Sequence, residues 1–471
     1  MPADDRTAPP EEAPVSRVAE ERAPAFVVVW SADEPARAGE VALFAEPGRE
    51  MILGRSDEGG ARRVRFFRQR AGALEAQPGI GASRISREQL VVARADGGVN
   101  VRRKGLPGLL VNGAPCEEAV VRAGDVVEVE RQMLLYCTDR PLAMAPLRHG
   151  RVETAFGAPD GDGIIGESEA AWTLRAELAY AREAPGHVLI TGESGAGKEL
   201  AARAIHARSR RAEKAFVAHN AATFPAGLID AELFGNPKNY PNPGMPERPG
   251  LIGEADGGVL FLDEIGELPL ELHSRLLRVL DAGGEYKRLG EAASRRSDFR
   301  LVAATNRDGS ALKHDLLSRL RVRVALPSLR ERREDVPLLV RALVLDSARE
   351  SPVIAGRFVH ERAGRTEVKV SASLMTALVR WPYTTNVREI AMLLSLAMAQ
   401  STGEALSLPK EMREAGAATE QDGSRDDALS AEQVRAALAR AEGNVSRVAR
   451  ALGLSRPALY RLMKKHGISG G

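Results

Sequence analysis

Hydrophobic and polar positions change rhythm several times along this chain. Between Ala25 and about Arg140, short β-branched runs (AFVVVW, EVALFA, EMILG, QLVVAR, VNVRR, DVVEVE, MLLYC) are separated by Gly, Asp, Asn and Pro at roughly 8- to 15-residue spacing. That spacing predicts an all-β sandwich over 25–140. From Ile164 onward, helical periodicity alternates with the continuous apolar segments HVLIT, VLFLDE and RLVAAT. Strands apolar on both faces and joined by helices predict a parallel α/β sheet over 163–334. A mostly helical pattern follows over 335–410, as expected of a helical subdomain attached to the sheet. In the last segment, 429–471, Ser430 and Gln433 form a capping box before Val434, Ala437, Leu438 and Ala441. Asn444 then caps a helix with Val445, Val448, Ala449 and Leu452 inward. After a turn at Gly453, Ser455 caps a third helix, Arg456 to Lys465, with Leu459 and Met463 inward. This all-α unit has its last two helices in helix-turn-helix order.

The intervening segments lack such periodicity. Residues 1–24, with five prolines among Ala, Glu and Asp, are expected to be a disordered lead, and 141–162 a Pro/Gly-broken linker. Residues 411–428 carry excess acid and are expected to be a flexible tether.

Composition adds limits. The 471 residues are enough for about three domains at roughly 150 residues each. With 44% hydrophobic and 28% charged residues the composition is that of a soluble globular protein. Lys and Arg total 66 against 64 acids, a net charge of +2, so gross charge names no partner. Local charge is uneven, since the helix-turn-helix segment holds eight basic residues against Glu432 and Glu442, although a charge run alone suits a helical protein-binding tail as well as nucleic acid. Cys116 and Cys137 belong to no metal-ligand spacing and are expected to be reduced thiols of the sandwich. No apolar run approaches the roughly 18 residues of a membrane span, and no signal peptide is evident, so a cytoplasmic protein without a membrane partner is expected.

Candidate chemistry begins where HVLIT ends. The loop Gly192, Glu193, Ser194, Gly195, Ala196, Gly197, Lys198, Glu199 lies between a strand and a helix. Its glycines allow backbone N–H groups to wrap a phosphate chain, while Lys198 supplies a point charge. Glu199 stands where a strict motif has Ser or Thr for Mg²⁺. VLFLDE ends in adjacent acids, Asp263 to hold Mg²⁺ through water and Glu264 to polarise an attacking water. RLVAATN ends at Asn306, placed for a γ-phosphate. Three such strand ends converge on one crevice of an open parallel sheet.

Residues 164 to about 398 resemble the AAA+ domain of bacterial enhancer-binding proteins, the sigma-54 transcription activators. GESGAGKELAARAIH, AELFG, GEADGGVLFLDEIGELP, LVAATN, LPSLRERREDVP and NVREI stand in that family's order. The resemblance implies ATP and Mg²⁺ as ligands, a Glu commonly following the lysine, and Ile165 and Gly166 among the nucleotide contacts. It implies that Asn220 is a switch restraining Glu264, that Arg319 is an arginine finger acting in trans, and that Arg388 is the sensor II arginine. Lys313 occupies the place of a second finger arginine, keeping the charge without the fork. The family's GAFTGA loop, which touches the sigma factor, is replaced by NPKNYPNPGMPERPG, Asn236 to Gly250, where Tyr240 is the only aromatic and Pro241, Pro243 and Pro246 fix the backbone.

The terminal GNVSRVARALGLSRPALYRLMKKHGI resembles the Fis-type DNA-binding domain. Arg456, Ala458, Tyr460, Arg461 and Lys464 would then face a major groove and Lys465 a phosphate. The β segment resembles the forkhead-associated (FHA) domain through ILGRS, SREQL and LLVNG. That resemblance implies phosphothreonine contacts at Arg55, Ser86 and Arg87. Gln89 replaces the FHA histidine and Pro107 the peptide-binding asparagine.

The combined reading is an ATP-dependent transcription regulator that assembles from dimer to ring. Its expected partners are DNA, sigma-54 RNA polymerase and a Ser/Thr-phosphorylated protein. Two alternatives stay open. One is a DNA-bound regulator or repressor that uses ATP for assembly only, and the other an AAA+ remodeller of a different protein.

Overall fold

The computed structural model describes residues 21–56, 60, 62–225, 227–240, 242–281, 283–306, 312–362, 364–415, 431–441, 447, 448, 452, 459, 462 and 463. By contacts the chain forms two units, Met1–Gly192 with Lys198–Pro327, and Glu193–Gly197 with Ser328–Gly471.

The first unit opens with twelve strands: β1 (Arg22–Ser31), β2 (Val41–Leu43), β3 (Met51–Leu53), β4 (Phe67–Arg70), β5 (Ala73–Ala76), β6 (Leu90–Ala95), β7 (Gly98–Arg103), β8 (Leu109–Val111), β9 (Ala114–Cys116), β10 (Glu118–Val121), β11 (Val126–Val129) and β12 (Met133–Pro141). They form an eight-stranded sheet, β5-β4-β2-β1-β12-β11-β8-β9, and a four-stranded sheet, β10-β7-β6-β3. Leu53, Leu90, Val92, Val99 and Val101 of the smaller sheet meet Phe26, Val28, Val127, Met133 and Leu135 of the larger in one core. The run AFVVVW is continuous rather than alternating because β1 is buried on both faces. Phe26 and Val28 enter the main core, where Phe26 meets Phe44 edge-on at 5.0 Å, and Ala25 and Val27 enter a smaller cluster with Val41. Both cysteines are free and lie in this sandwich, and burial pushes the Cys137 thiol up to about 12.

Helix α1 (Glu169–Glu183) follows the linker, capped by Ser168, whose side chain accepts the Ala171 N–H. Strands β13 (Val188–Thr191), β14 (Phe216–Asn220), β15 (Val259–Asp263), β18 (Arg300–Thr305) and β19 (Val322–Ala325) form a parallel sheet in the order β14-β15-β18-β13-β19. Helix α2 (Lys198–Ala207) follows the glycine loop, and α3 (Ile229–Phe234), α4 (Gly250–Glu254), α5 (Leu270–Asp281), the small hairpin β16 (Glu285–Tyr286) with β17 (Arg295–Arg296), and α6 (His314–Arg319) complete the unit. Leu189, Leu260, Leu262, Leu301 and Ala303 pack on Leu272, Leu276 and Val279 of α5. In register, Thr191 lies opposite Thr305 and Asn220 opposite Asp263, so the chemistry-bearing strand ends share one edge.

In the second unit are α7 (Val336–Glu350), α8 (Pro352–Ala355), a hairpin of β20 (Val359–Arg362) and β21 (Arg365–Val368), α9 (Ala372–Arg380), α10 (Asn386–Gln400) and α11 (Ala431–Arg440). The β20–β21 hairpin interrupts the helical pattern expected over 335–410. It forms where Val359 to Val368 alternates around Gly364, which takes a left-handed φ of 71°. The first residues of the segment expected to be an acidic tether are ordered into a helix. Residues 410–415 are helical, Met412 is 2% exposed, and Gln400 donates to Glu411 at 2.7 and 2.9 Å. In the terminal segment Val434, Val448, Leu459, Leu462 and Met463 form a buried cluster with Ala437, Leu438, Ala441 and Leu452. No helix among the described residues is long and apolar enough to cross a membrane.

His187 gives the fold an acid sensitivity. Its Nδ1 accepts the Leu301 N–H at 3.0 Å, and burial, aided by Arg300 and Arg211, pushes the imidazole down to about 4. A folded-state value below the unfolded one means that the unfolded chain binds the proton first, so this contribution is complete above about 6.5 and is lost as pH falls toward 4. We predict that wild-type thermal stability falls more steeply than that of His187→Asn between these values, by up to about 3 kcal/mol. Parallel pH profiles would contradict the assignment.

Candidate functional site

In the first unit the constellation is built on strand ends. Gly192, directly after β13, donates its N–H to Thr305 O at 3.2 Å, and its carbonyl accepts Lys198 Nζ at 3.2 Å. Lys198 is 7% exposed, and its ammonium pairs with Glu264 Oε1 at 3.2 Å. The other carboxylate oxygen of Glu264 accepts the Asn306 N–H at 3.1 Å. Glu264 itself has φ +50°, a left-handed conformation that costs a non-glycine residue on the order of 1 kcal/mol or more and tends to mark functional positions. Asp263 Oδ1 accepts the Glu264 N–H at 3.0 Å. Burial raises the Asp263 carboxyl above the ordinary aspartate range, against the opposing pull of Lys198.

Asn220 Oδ1 accepts the Ala222 N–H at 2.9 Å and caps the turn Ala221–Thr223. Glu264 is held by Lys198 and the Asn306 N–H, while the Asn220 side-chain oxygen caps its own turn. Glu199 is exposed and pairs with Arg203 one helical turn on, at 2.6 Å, directed along α2. Arg319, at the end of α6, ion-pairs with Asp281 of α5 on an exposed surface. Lys313 Nζ donates to Ser274 Oγ at 2.7 Å. The Gly166 carbonyl accepts Arg175 Nη1 at 2.8 Å, and the adjacent Ile165 is half-buried.

The second unit contains the tip of the glycine loop, Glu193–Gly197, and what holds it. Asn386, 1% exposed and also left-handed at φ +51°, donates from Nδ2 to Ser194 O at 3.0 Å and to Glu193 Oε2 at 3.1 Å. Its Oδ1 accepts the Leu329 N–H at 2.6 Å. Arg330 pairs with the other oxygen of Glu193 at 2.6 Å, and Val387 N–H donates to Gly195 O at 3.3 Å. A trans peptide carries its C=O and N–H on opposite sides, so fixing Ser194 O on Asn386 turns the Gly195 N–H away from Asn386. Only glycine fits at 195: φ is +73°, and an added Cβ would lie 2.1 Å from Thr385 O and 3.2 Å from the Cβ of Arg388. Arg388 is exposed beside this loop. Sequence reasoning missed Asn386, since an asparagine opening NVRE reads as a helix cap; its isolation before a helix whose first turn holds Arg388 was the available signal.

The altered loop after α3 is a closed hairpin. Asn236, fully buried, donates to Pro237 O, Tyr240 O and Pro246 O at 3.0 to 3.2 Å, and it bridges to Arg248. Tyr240 lies on Gly290, where an added Cβ would be 2.4 Å from the ring. In the sandwich, Arg55 N–H donates to Ser86 O at 3.0 Å, which brings the two expected phosphate contacts to one end of the fold. Ser86 Oγ accepts the Leu106 N–H at 3.1 Å, while Arg87 is exposed. Gln89 is 0% exposed and ties these loops together. Its Oε1 accepts the Ser86 N–H at 3.3 Å, and its Nε2 donates to Pro107 O at 2.9 Å. Arg456, Ala458, Tyr460, Arg461, Lys464 and Lys465 lie outside the described residues.

Comparison with known proteins agrees with this geometry at the level of families. Residues 164–325 match the Sigma-54 interaction domain, and residues 428–466 match the Fis family of bacterial regulatory proteins. The chain is similar to the regulatory protein AtoC of Escherichia coli, with 34% identity over 325 residues, covering 65% of this chain and 68% of that one. It is 37% identical over 319 residues to the transcriptional regulatory protein ZraR of E. coli, covering 64% and 68%. It is 36% identical over 333 residues to the formate hydrogenlyase transcriptional activator of Salmonella typhimurium, covering 67% of this chain and 45% of that longer protein.

Asn386→Asp keeps the acceptor for Leu329 but loses the donor and places a second carboxylate against Glu193. Chemical denaturation is expected to show a loss of roughly 1 to 3 kcal/mol, the cost of unsatisfied buried partners. A variant as stable as wild type would mean that Asn386 does not hold the loop.

Proposed function

The chain belongs to the family of sigma-54-dependent transcriptional regulators, and from that membership we propose that it is an ATP-hydrolysing, DNA-bound regulator of the enhancer-binding class. The observation that carries this reading is the gathering of Lys198, Asp263, Glu264 and the Asn306 N–H at one edge of a parallel sheet. Lys198 leaves Glu264 for the β and γ phosphates, and the freed Glu264 orients the attacking water and takes its proton. Mg²⁺ would supply charge neutralisation at the phosphates, and Asp263 is the residue to hold it through water. Exposed Arg319, with Lys313, serves a neighbouring subunit's phosphates in a homo-oligomeric ring, which ties hydrolysis to assembly. Arg388, beside Gly195, acts as the sensor arginine. The terminal helices bind DNA as dimers in the cytoplasm, through Arg456, Ala458, Tyr460, Arg461, Lys464 and Lys465. The sandwich receives a phosphothreonine protein at Arg55, Ser86 and Arg87, a fork and a hydroxyl suited to a dianion.

The loop pinned by Asn236 supports a second reading, in which a DNA-bound regulator or repressor uses ATP for assembly only, or the protein remodels another target, without sigma-54. The two are separated with sigma-54 holoenzyme and a DNA fragment that the protein retards in a gel. The primary reading predicts permanganate-reactive open complexes only when ATP is present. Steady ATP turnover without open complexes would replace it by the second, and failure to bind ATP at all would sink both.

A further inference from the structure

The linker and the sandwich meet at Glu167, one residue beyond the Ile165-Gly166 pair. Its carboxylate is 3% exposed and accepts four hydrogen bonds. Arg70, at the end of β4, supplies two of them as a fork, Nη2 to Oε1 at 2.5 Å and Nε to Oε2 at 3.1 Å. Gly157 N–H donates to Oε1 at 2.8 Å and Trp172 Nε1 to Oε2 at 3.1 Å. The Glu167 backbone carbonyl accepts Arg140 Nη2 of β12 at 3.0 Å, and Arg140 is 2% exposed. The sandwich thus grips both the side chain and the main chain of one residue of the ATPase segment.

On the other side Arg175 of α1, 5% exposed, donates to Gly166 O at 2.8 Å and Ile164 O at 3.1 Å, and pairs with Asp160 at 2.7 Å. The Trp172 ring lies between the two clamps, with the Arg175 guanidinium 4.6 Å and the Arg70 guanidinium 5.7 Å from its centroid. Residues 164–167 are therefore a strap, held from one side by the motor's own helix and from the other by the sandwich. A buried bidentate pair tolerates little sliding. Without the Arg70 fork, Glu167 keeps a buried charge with no cationic partner, only the neutral Gly157 and Trp172 donors, and the contact opens to water.

We propose that Glu167 is a positioning residue through which Arg70 and Arg140 of the sandwich set the nucleotide affinity of the ATPase, by fixing the backbone of Ile165 and Gly166. This rests on the reading that those two residues contact ATP. The clamp touches neither Lys198 nor Glu264, so it acts on binding and not on the chemical step.

The test uses the full chain, titrated with ATP and assayed for turnover, as wild type, Arg70→Met, Glu167→Gln, the double variant, and Arg70→Lys as the milder change that keeps the charge without the fork. Arg22→Met is the control, since Arg22 joins the sandwich to Glu169 at the same seam through an exposed pair. The expected result is an ATP Kd and KM raised about tenfold in each single variant, the size of a typical coupling between sites. The double variant should be no worse than either single one. Turnover at saturating ATP should stay within twofold of wild type, Arg70→Lys should fall between, and Arg22→Met should be unchanged. A clamp that only stabilises the fold would lower the melting temperature and leave Kd and KM alone, and that result overturns the proposal. Wild type failing to bind ATP would overturn the ATPase reading and the proposal with it.

Discussion

A buried ammonium needs a partner, and much of the site follows from how Lys198 finds one. At 7% exposure the Lys198 charge is costly unless paired, and the Gly192 carbonyl and the Glu264 carboxylate are the groups that meet it. That pairing draws Glu264 into a left-handed backbone at the end of β15, where the Asn306 N–H holds its second oxygen. The Lys198 and Glu264 side chains thus neutralise each other. Under the proposed function, an anion brought to the glycine loop would compete for the same ammonium, and its binding would release Glu264.

Elsewhere several loops are pinned by neutral amides. Asn386 holds the glycine-loop tip, Asn236 closes the hairpin after α3, and Gln89 joins the loops that present Arg55 and Ser86. A carboxamide offers donors and an acceptor without charge, so burying it costs little once each is used. Removing such a hub leaves several carbonyls unsatisfied together, and loop shape therefore depends on single residues.

The strands were readable because their burial leaves a direct trace. VLFL of β15 and LVAA of β18 are unbroken apolar runs since these strands are covered on both faces. The β4–β5 hairpin was not readable: FRQR is mostly polar, ALEA is exposed throughout, and Arg70 is placed by its distant partner Glu167 instead of by local pattern. The β20–β21 hairpin was hidden in a helical neighbourhood. Lys198, Asp263, Glu264 and Asn306 could be named from motif spacing alone. The partners of Glu264 could not, because the approach of Lys198 and of the Asn306 N–H to its carboxylate depends on tertiary geometry that a linear motif does not carry.

The claim that Lys198 and Glu264 hold each other until phosphate arrives is tested most directly in Glu264→Gln, by measuring ATP affinity and turnover on one preparation. The account predicts that ATP binds at least as tightly as to wild type, since the competing carboxylate is gone, while turnover falls by about a hundredfold or more. Undiminished hydrolysis, or ATP binding weakened by the substitution, would contradict it.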